Sequence, residues 1–318
     1  MHRSSGERDL GEAWLSPQLG RNARLDRISE ALDWGAVERL VSEVYAARTG
    51  RPSWRPLTMV KALLLQQWYG LSDPGLEEAL SDRLSFRRFV GLGLNEGQPD
   101  HSVISRFRKQ LRERGLDAAL FEELGRQLEA RGLLLKSGTL MDATVVSAAV
   151  KKPGRPAGAR SATDPDAGWT RKGGQSWFGY KAHVGVDQGS GLIRRAELTA
   201  ANVYESEVAE ALICGDERAV YGDKAYEHQG RRRRLKAAGV KDRILHRRHK
   251  YQTVLPPWQA RRNQLISPIR AAVERVFGVW KRGYGYTRVR YRGLRANLLQ
   301  LRFLCMAYNL RRADALLA

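Results

Sequence analysis

The stretch TLMDATVVS, Thr139–Ser147, marks a change of period in this chain. It is rich in Thr and Val and is interrupted by one acid, Asp142, which predicts a strand. Working downstream, Lys151 to Gly174 is a basic, Gly/Pro-rich segment expected to be a mobile loop. Phe178–Val186 and Leu192–Thr199 read as two further strands joined by a turn at Gln188–Gly191. A helix over Glu205–Ile213, a short strand Ala219–Tyr221 leading to Asp223, a helix Arg231–Ala238 and a weak strand Arg243–Leu245 follow. A long helix is expected over Gln259–Trp280 and a last one from Ala296 to Leu317. Three strands and then alternating helix and strand is the element order of an α/β, RNase H-like core, a mixed sheet flanked by helices. That inference is fold-level analogy.

Upstream the period is helical. Leu25, Ile28, Leu32, Val37, Leu40 and Val44 recur near helical spacing after a polar, frayed start, as do Leu57, Val60, Leu64 and Trp68. Ser72-Asp73-Pro74 has the form of an N-cap with Pro in the first turn, and Asp100 is a second N-cap. Val103, Ile104, Phe107 and Leu111 then form one stripe, with Arg106, Arg108, Lys109 and Arg112 mostly off it. A further helix runs over Leu116–Ala130. The predicted organisation is an all-helical N-terminal domain (1–135), the RNase H-like core (136–295) and a C-terminal helix packed on that core (296–318).

Composition narrows the function. The 318 residues carry a net charge of +21, with 42 % hydrophobic residues, 8 Trp, 11 Tyr and 7 Phe, enough apolar material for one large core or two smaller ones. No apolar run approaches the roughly 20 residues that cross a bilayer, so no membrane partner is expected. The charged residues after Met1 argue against an export signal, and Cys214 and Cys305 give neither a disulfide framework nor metal-ligand spacing. A cytoplasmic, nucleoid-associated setting is expected. Glu227–Lys250 is net +8 and Arg261–Arg295 net +9, so most of the excess lies in two segments. Such a footprint favours a nucleic-acid partner over a membrane surface or an acidic protein. The basic side of the Asp100 helix is then either a DNA-contacting face or an ordinary solvated one.

Three acids stand where such a sheet would carry chemistry: Asp142 in the first strand, Asp223 after the fourth and Glu274 on the long helix. Phosphodiester chemistry can use two divalent ions, and hard ions such as Mg²⁺ take carboxylate oxygens. Taken singly, each acid reads as well as a surface residue. On an ideal helix Arg270, Glu274 and Lys281 project within roughly 40° of one another, with Val273, Val276 and Trp280 on another side. An acid flanked by cations on one face can hold metal while its neighbours hold phosphate.

The run SPIRAAVERVFGVWK (Ser267–Lys281), with Arg270, Glu274 and Lys281 at its signature positions, resembles bacterial insertion-sequence DDE transposases, specifically the insertion-sequence-five group. LLLQQWYGLSDPGLEEAL from Leu63, GTLMDAT around Asp142, FGYKAHVGVD from Phe178, TAANVYES from Thr199, VYGDKAY around Asp223 and RYRGLRAN from Arg290 share the family's look and order. The resemblance spans Leu25 to the C-terminus. It implies cleavage at terminal inverted repeats and joining of 3′-hydroxyl ends to target DNA. It also implies Asp142, Asp223 and Glu274 as catalytic and metal ligands, and two Mg²⁺ ions per site with Mn²⁺ able to substitute. Double-stranded DNA, a homodimer on DNA and no small-molecule substrate go with it. Arg270, Lys281, Lys181, His183, Arg275, Arg288, Arg290 and Arg292 are the expected DNA contacts. Two departures stand out. Ser267 occupies the position where a related signature commonly has Tyr, and the short Asp223–Glu274 interval leaves no room for a large strand-rich insertion.

Smaller readings stay open. Lys181 and His183 share a strand face and either approach DNA or serve a cross-strand role. Trp177 and Tyr180 either stack on a base or pack in the hairpin, and Arg231–Arg234 is expected to contact backbone. His246 and His249 have no third ligand for zinc. The alternatives to an active transposase are a catalytically silent, domesticated DNA-binding protein with the same fold and a stand-alone RNase H-like nuclease.

Overall fold

The computed structural model describes residues 20–44, 53–154, 161–248 and 251–317. The polar start before Gly20, part of the Gly/Pro-rich segment (155–160) and His249 lie outside the described residues. The chain forms two compact units, one up to Arg131 together with Arg302 onward, the other Gly132–Leu301.

The first unit is helical: α1 (Ala23–Glu30), α2 (Trp34–Val41), α3 (Pro56–Trp68), α4 (Asp73–Asp82), α5 (Leu84–Val90), α6 (His101–Glu113) and α7 (Leu116–Ala130). Local chemistry sets the boundaries. The Ser72 hydroxyl accepts from Gly75 N–H at 3.1 Å, and Asp100 Oδ1 accepts from Val103 N–H at 2.8 Å. Eleven of the thirteen residues of α3 are buried, so its apolar side chains run all round a central helix rather than along one stripe. Arg108, expected on the basic side of α6, is instead buried and makes a two-pronged contact with Asp73, Nη1–Oδ1 at 2.9 Å. The long helix α12 (Leu294–Leu317) corrects the expectation that 296–318 packs on the core. From Arg302 on it belongs to the helical unit, where Arg302 meets Asp117 at 2.6 Å and the Trp68 indole donates to Ala307 O at 2.6 Å.

The second unit is built on β1 (Thr139–Ser147), β2 (Gly168–Lys172), β3 (Gln175–Asp187), β4 (Ile193–Ala200), β5 (Ala219–Gly222) and β6 (Lys241–Ile244). The order is β2-β3-β1-β5-β6, with β4 on the same edge of β3 as β2 but further along it. β1, β3 and β4 are antiparallel neighbours, whereas β1, β5 and β6 run parallel. This mixed sheet, with α8 (Glu205–Leu212) and α9 (Gln229–Ala237) as its crossovers, is the RNase H-like topology. β2 falls in the segment expected to be a loop. Gly173 and Gly174, at φ +59° and +79°, turn the chain so that Trp169 and Thr170 pair with Phe178 and Trp177.

On one face Met141, Ala209, Leu212, Val220, Tyr226, Leu235, Val240 and Ile244 form a core. Gly185 permits this packing, because a Cβ there would lie 2.6 Å from Leu212 O at the end of α8. By strand alternation Asp142 points away from Met141, toward the other face. There the expected single helix over Gln259–Trp280 is broken into α10 (Pro257–Arg270), a 3₁₀ turn Ala271–Val273, α11 (Glu274–Gly278) and a π turn Val279–Gly283. Pro268 removes a backbone donor and crowds the preceding turn, while Gly278 and Gly283 flank the π segment. Val273, Val276 and Trp280 are buried nonetheless.

Candidate active site

The parallel ladder between β1 and β5 pairs Thr139 with Val220 and Leu140 with Tyr221, then stops. Asp142 and Asp223 each stand two residues further on, so the register carries them to the same level on adjacent strands. Asp142 Oδ1 accepts from Ala143 N–H at 2.8 Å, and its Oδ2 accepts from Arg270 Nη1 at 2.9 Å. Arg270 Nη2 reaches Glu274 Oε1 at 3.3 Å, so one guanidinium links two of the three acids. Arg270 Nε is buried without a hydrogen-bond partner among the described residues. Asp223 caps the 3₁₀ turn Lys224–Tyr226, its Oδ1 accepting from Lys224 N–H at 2.6 Å. Burial holds the Asp142 carboxyl above the usual range. The Ala143 N–H, Arg270 and Lys172 pull it down, and Asp223 adds to the upward push.

The breaks in the helix change the angular relation drawn from an ideal one. Arg270, expected to face phosphate, is engaged by Asp142 and Glu274. Lys281 is exposed, and its pKa is lowered first by desolvation and then by Lys172. Lys172 thus acts on both Asp142 and Lys281, a role its position in an expected loop concealed.

Other expected contacts divide. His183 is fully buried. Its Nε2 meets the Thr199 hydroxyl at 2.9 Å, and burial, then Lys181, pushes its pKa down to about 3, so it is neutral and reaches no DNA. Lys181 Nζ donates to Val203 O at 2.9 Å and lies 3.7 Å from Glu205. Tyr180 is buried, its hydroxyl donating to Asp164 at 2.5 Å, and Trp177 is half-buried opposite Thr170; both pack in the hairpin region. Arg231 is buried too, holding Glu210, Ser206 O and Tyr226 O, which leaves Arg233 and Arg234 exposed on that helix. Arg275, Arg288 and Arg292 are exposed and Arg290 half-buried. Arg288 follows Thr287, whose carbonyl accepts from Ser147 N–H at the far end of β1.

The three acids suit a hard divalent cation. They offer carboxylate oxygen with no sulfur or imidazole, which matches Mg²⁺ or Mn²⁺ better than softer metals. Ligand-type groups also gather at Cys214, Asp216 and Glu217. There Asp216 meets Lys136 at 2.8 Å and Arg194 at 2.6 Å, and Glu217 accepts from the Cys214 and Gly215 amides, which accounts for the charge structurally.

Residues 134–310 match the family model described as Transposase DDE domain, and residues 14–110 match the Transposase domain (DUF772). The chain belongs to the insertion-sequence DDE transposases. No solved structure matches it. As a member of that family the transposase is a polynucleotidyl transferase with DNA as its partner, and DDE transposases use divalent metals. Among the described residues, no helix is long and apolar enough to cross a membrane.

Proposed function

We propose that this transposase binds the terminal inverted repeats of an element of the insertion-sequence-five group, cleaves DNA at the element ends and joins the freed 3′-hydroxyls to target DNA. Asp142, Asp223 and Glu274 are its catalytic acids and hold two divalent ions, Mg²⁺ with Mn²⁺ able to substitute. The observation carrying this reading is the Arg270 guanidinium spanning Asp142 and Glu274, beside an Asp223 set level with Asp142 by strand register. Divalent ions held there activate the attacking oxygen and stabilise the leaving one.

The chain's own residues prepare that step. Arg270 fixes one oxygen of Asp142 and draws Glu274 in, and the Ala143 amide fixes the other oxygen. Lys172 and Lys281 place positive charge beside the acids, where a phosphate is drawn in. Arg275, Arg288, Arg290 and Arg292 supply further backbone contacts, and the helical unit serves in DNA binding and assembly. Joining two ends requires two copies, so the DNA-bound form is a homodimer.

The test compares wild type with Asp142→Asn on DNA carrying the element ends. Loss of Mg²⁺-dependent cleavage with end binding retained supports the reading, because the variant removes cation-binding charge but none of the basic surface. Equal loss of binding contradicts it. So does wild type that binds the ends tightly yet cuts with no divalent ion, the behaviour of a silent DNA-binding protein.

A further inference from the structure

A further carboxylate stands beside the three acids. Glu205 is the first residue of α8, and its side chain is 21 % exposed. Burial raises its pKa most, and Asp142 and Asp223 both add to that rise, so the carboxylate lies within their field. Among the described residues it accepts no hydrogen bond. The nearest cation, Lys181 Nζ, is 3.7 Å away and spends its donor on Val203 O at 2.9 Å.

A second feature points into the same space. Tyr226 is fully buried, packed in the core under β1 and β5, and its hydroxyl has no hydrogen-bond partner among the described residues. Beyond burial itself, the charges acting on that hydroxyl are Glu205, Asp142 and Asp223, in that order. Carboxylates gathered this way repel one another, and an unpaired buried hydroxyl is costly. A hydrated divalent cation answers both, because it neutralises the acids and its water partners the phenol. A counter-ion role for Glu205 toward Lys181 accounts for neither the missing hydrogen bond nor the orphaned Tyr226 hydroxyl.

We propose that Glu205 is a fourth carboxylate of the catalytic centre, reaching the divalent cation from the α8 side, with the Tyr226 hydroxyl bonded to the hydrated ion. This rests on Asp142, Asp223 and Glu274 being cation ligands.

The experiment is Mn²⁺ titration of the full chain without DNA, followed by electron paramagnetic resonance. Wild type, Glu205→Gln, Tyr226→Phe, Lys181→Met and Asp142→Asn are compared, with folding checked by circular dichroism. Glu205→Gln is expected to weaken Mn²⁺ binding by about tenfold or more, and Asp142→Asn to weaken it as well. Tyr226→Phe gives a smaller loss, while Lys181→Met binds as tightly as wild type or tighter, since a competing cation is gone. If Glu205→Gln does not fold, Glu205→Asp, which retracts the carboxylate by one methylene, is read on the same scale. Wild-type affinity in the Glu205 variant with loss in Asp142→Asn overturns the inference and leaves the three-acid site standing. Unchanged affinity in both overturns the three-acid site along with it. An equal loss in Lys181→Met overturns the inference in favour of a structural ion pair.

Discussion

Arg270 holds two carboxylates whose positions differ by 132 in sequence, and its fork is what lets one side chain do so. Lysine at this position keeps the charge but cannot span both acids. Arg270→Lys is therefore expected to lower the single-turnover cleavage rate by about tenfold to a hundredfold, with end binding in EDTA unchanged; an unchanged rate contradicts the positioning role. His183 gives a prediction of another kind. Its folded pKa of about 3 lies below the ordinary value of 6.5. Between those values the unfolded chain binds the extra proton, so the catalytic unit's stability rises with pH across that window and is lost as pH falls through it. The limiting slope is about 1.4 kcal/mol per pH unit. His183→Gln should flatten that dependence in denaturant titrations at pH 4 and 7, and an unaltered slope would assign the acid sensitivity elsewhere. At this scale Asp142, Asp223 and Glu274 were legible as candidates from residue type, strand context and order. Glu205 was hidden because an acid in the first turn of a helix has an ordinary reason to be there, the helix dipole. Arg108 and Arg231 were misplaced because a cation's sequence spacing does not reveal a buried partner such as Asp73 or Glu210.

The elements divide along similar lines. β1, β3 and β4 and the helix Leu116–Ala130 follow directly from apolar periodicity. β2 does not, since its five residues gain a ladder only through β3, although the Gly173-Gly174 pair is a hairpin signal in its own right. The break after Arg270 was likewise written in Pro268, yet the apolar stripe Val273, Val276 and Trp280 continues past it and suggests one helix. The close approach of α8 to β3 at Gly185 is testable. Gly185→Ala puts a methyl 2.6 Å from Leu212 O, where neither backbone yields easily. A destabilisation of roughly 1 to 3 kcal/mol is expected, read as a lower midpoint of the catalytic unit in denaturant melts. An unchanged midpoint would mean that α8 does not seat against the sheet as described.

For the molecule as a whole, the charge of +21 has a use once the partner is a polyanion. Much of it lies in the two segments that also supply Arg270, Lys281 and the exposed arginines Arg275, Arg288 and Arg292. End binding should therefore fall steeply with salt, with a log–log slope of about −0.9 per neutralised phosphate; a flat response would remove the electrostatic argument. The central claim is that three acids brought together by a sheet register and one arginine cut and join DNA. Its most direct test is incubation of wild type and Glu274→Gln with a plasmid carrying the flanking terminal repeats, in Mg²⁺ or in EDTA, with breaks and joints mapped at nucleotide resolution. The account predicts Mg²⁺-dependent 3′-end cleavage and joining by wild type, both absent in the variant and in EDTA. Cleavage and joining by Glu274→Gln at the wild-type rate would contradict it.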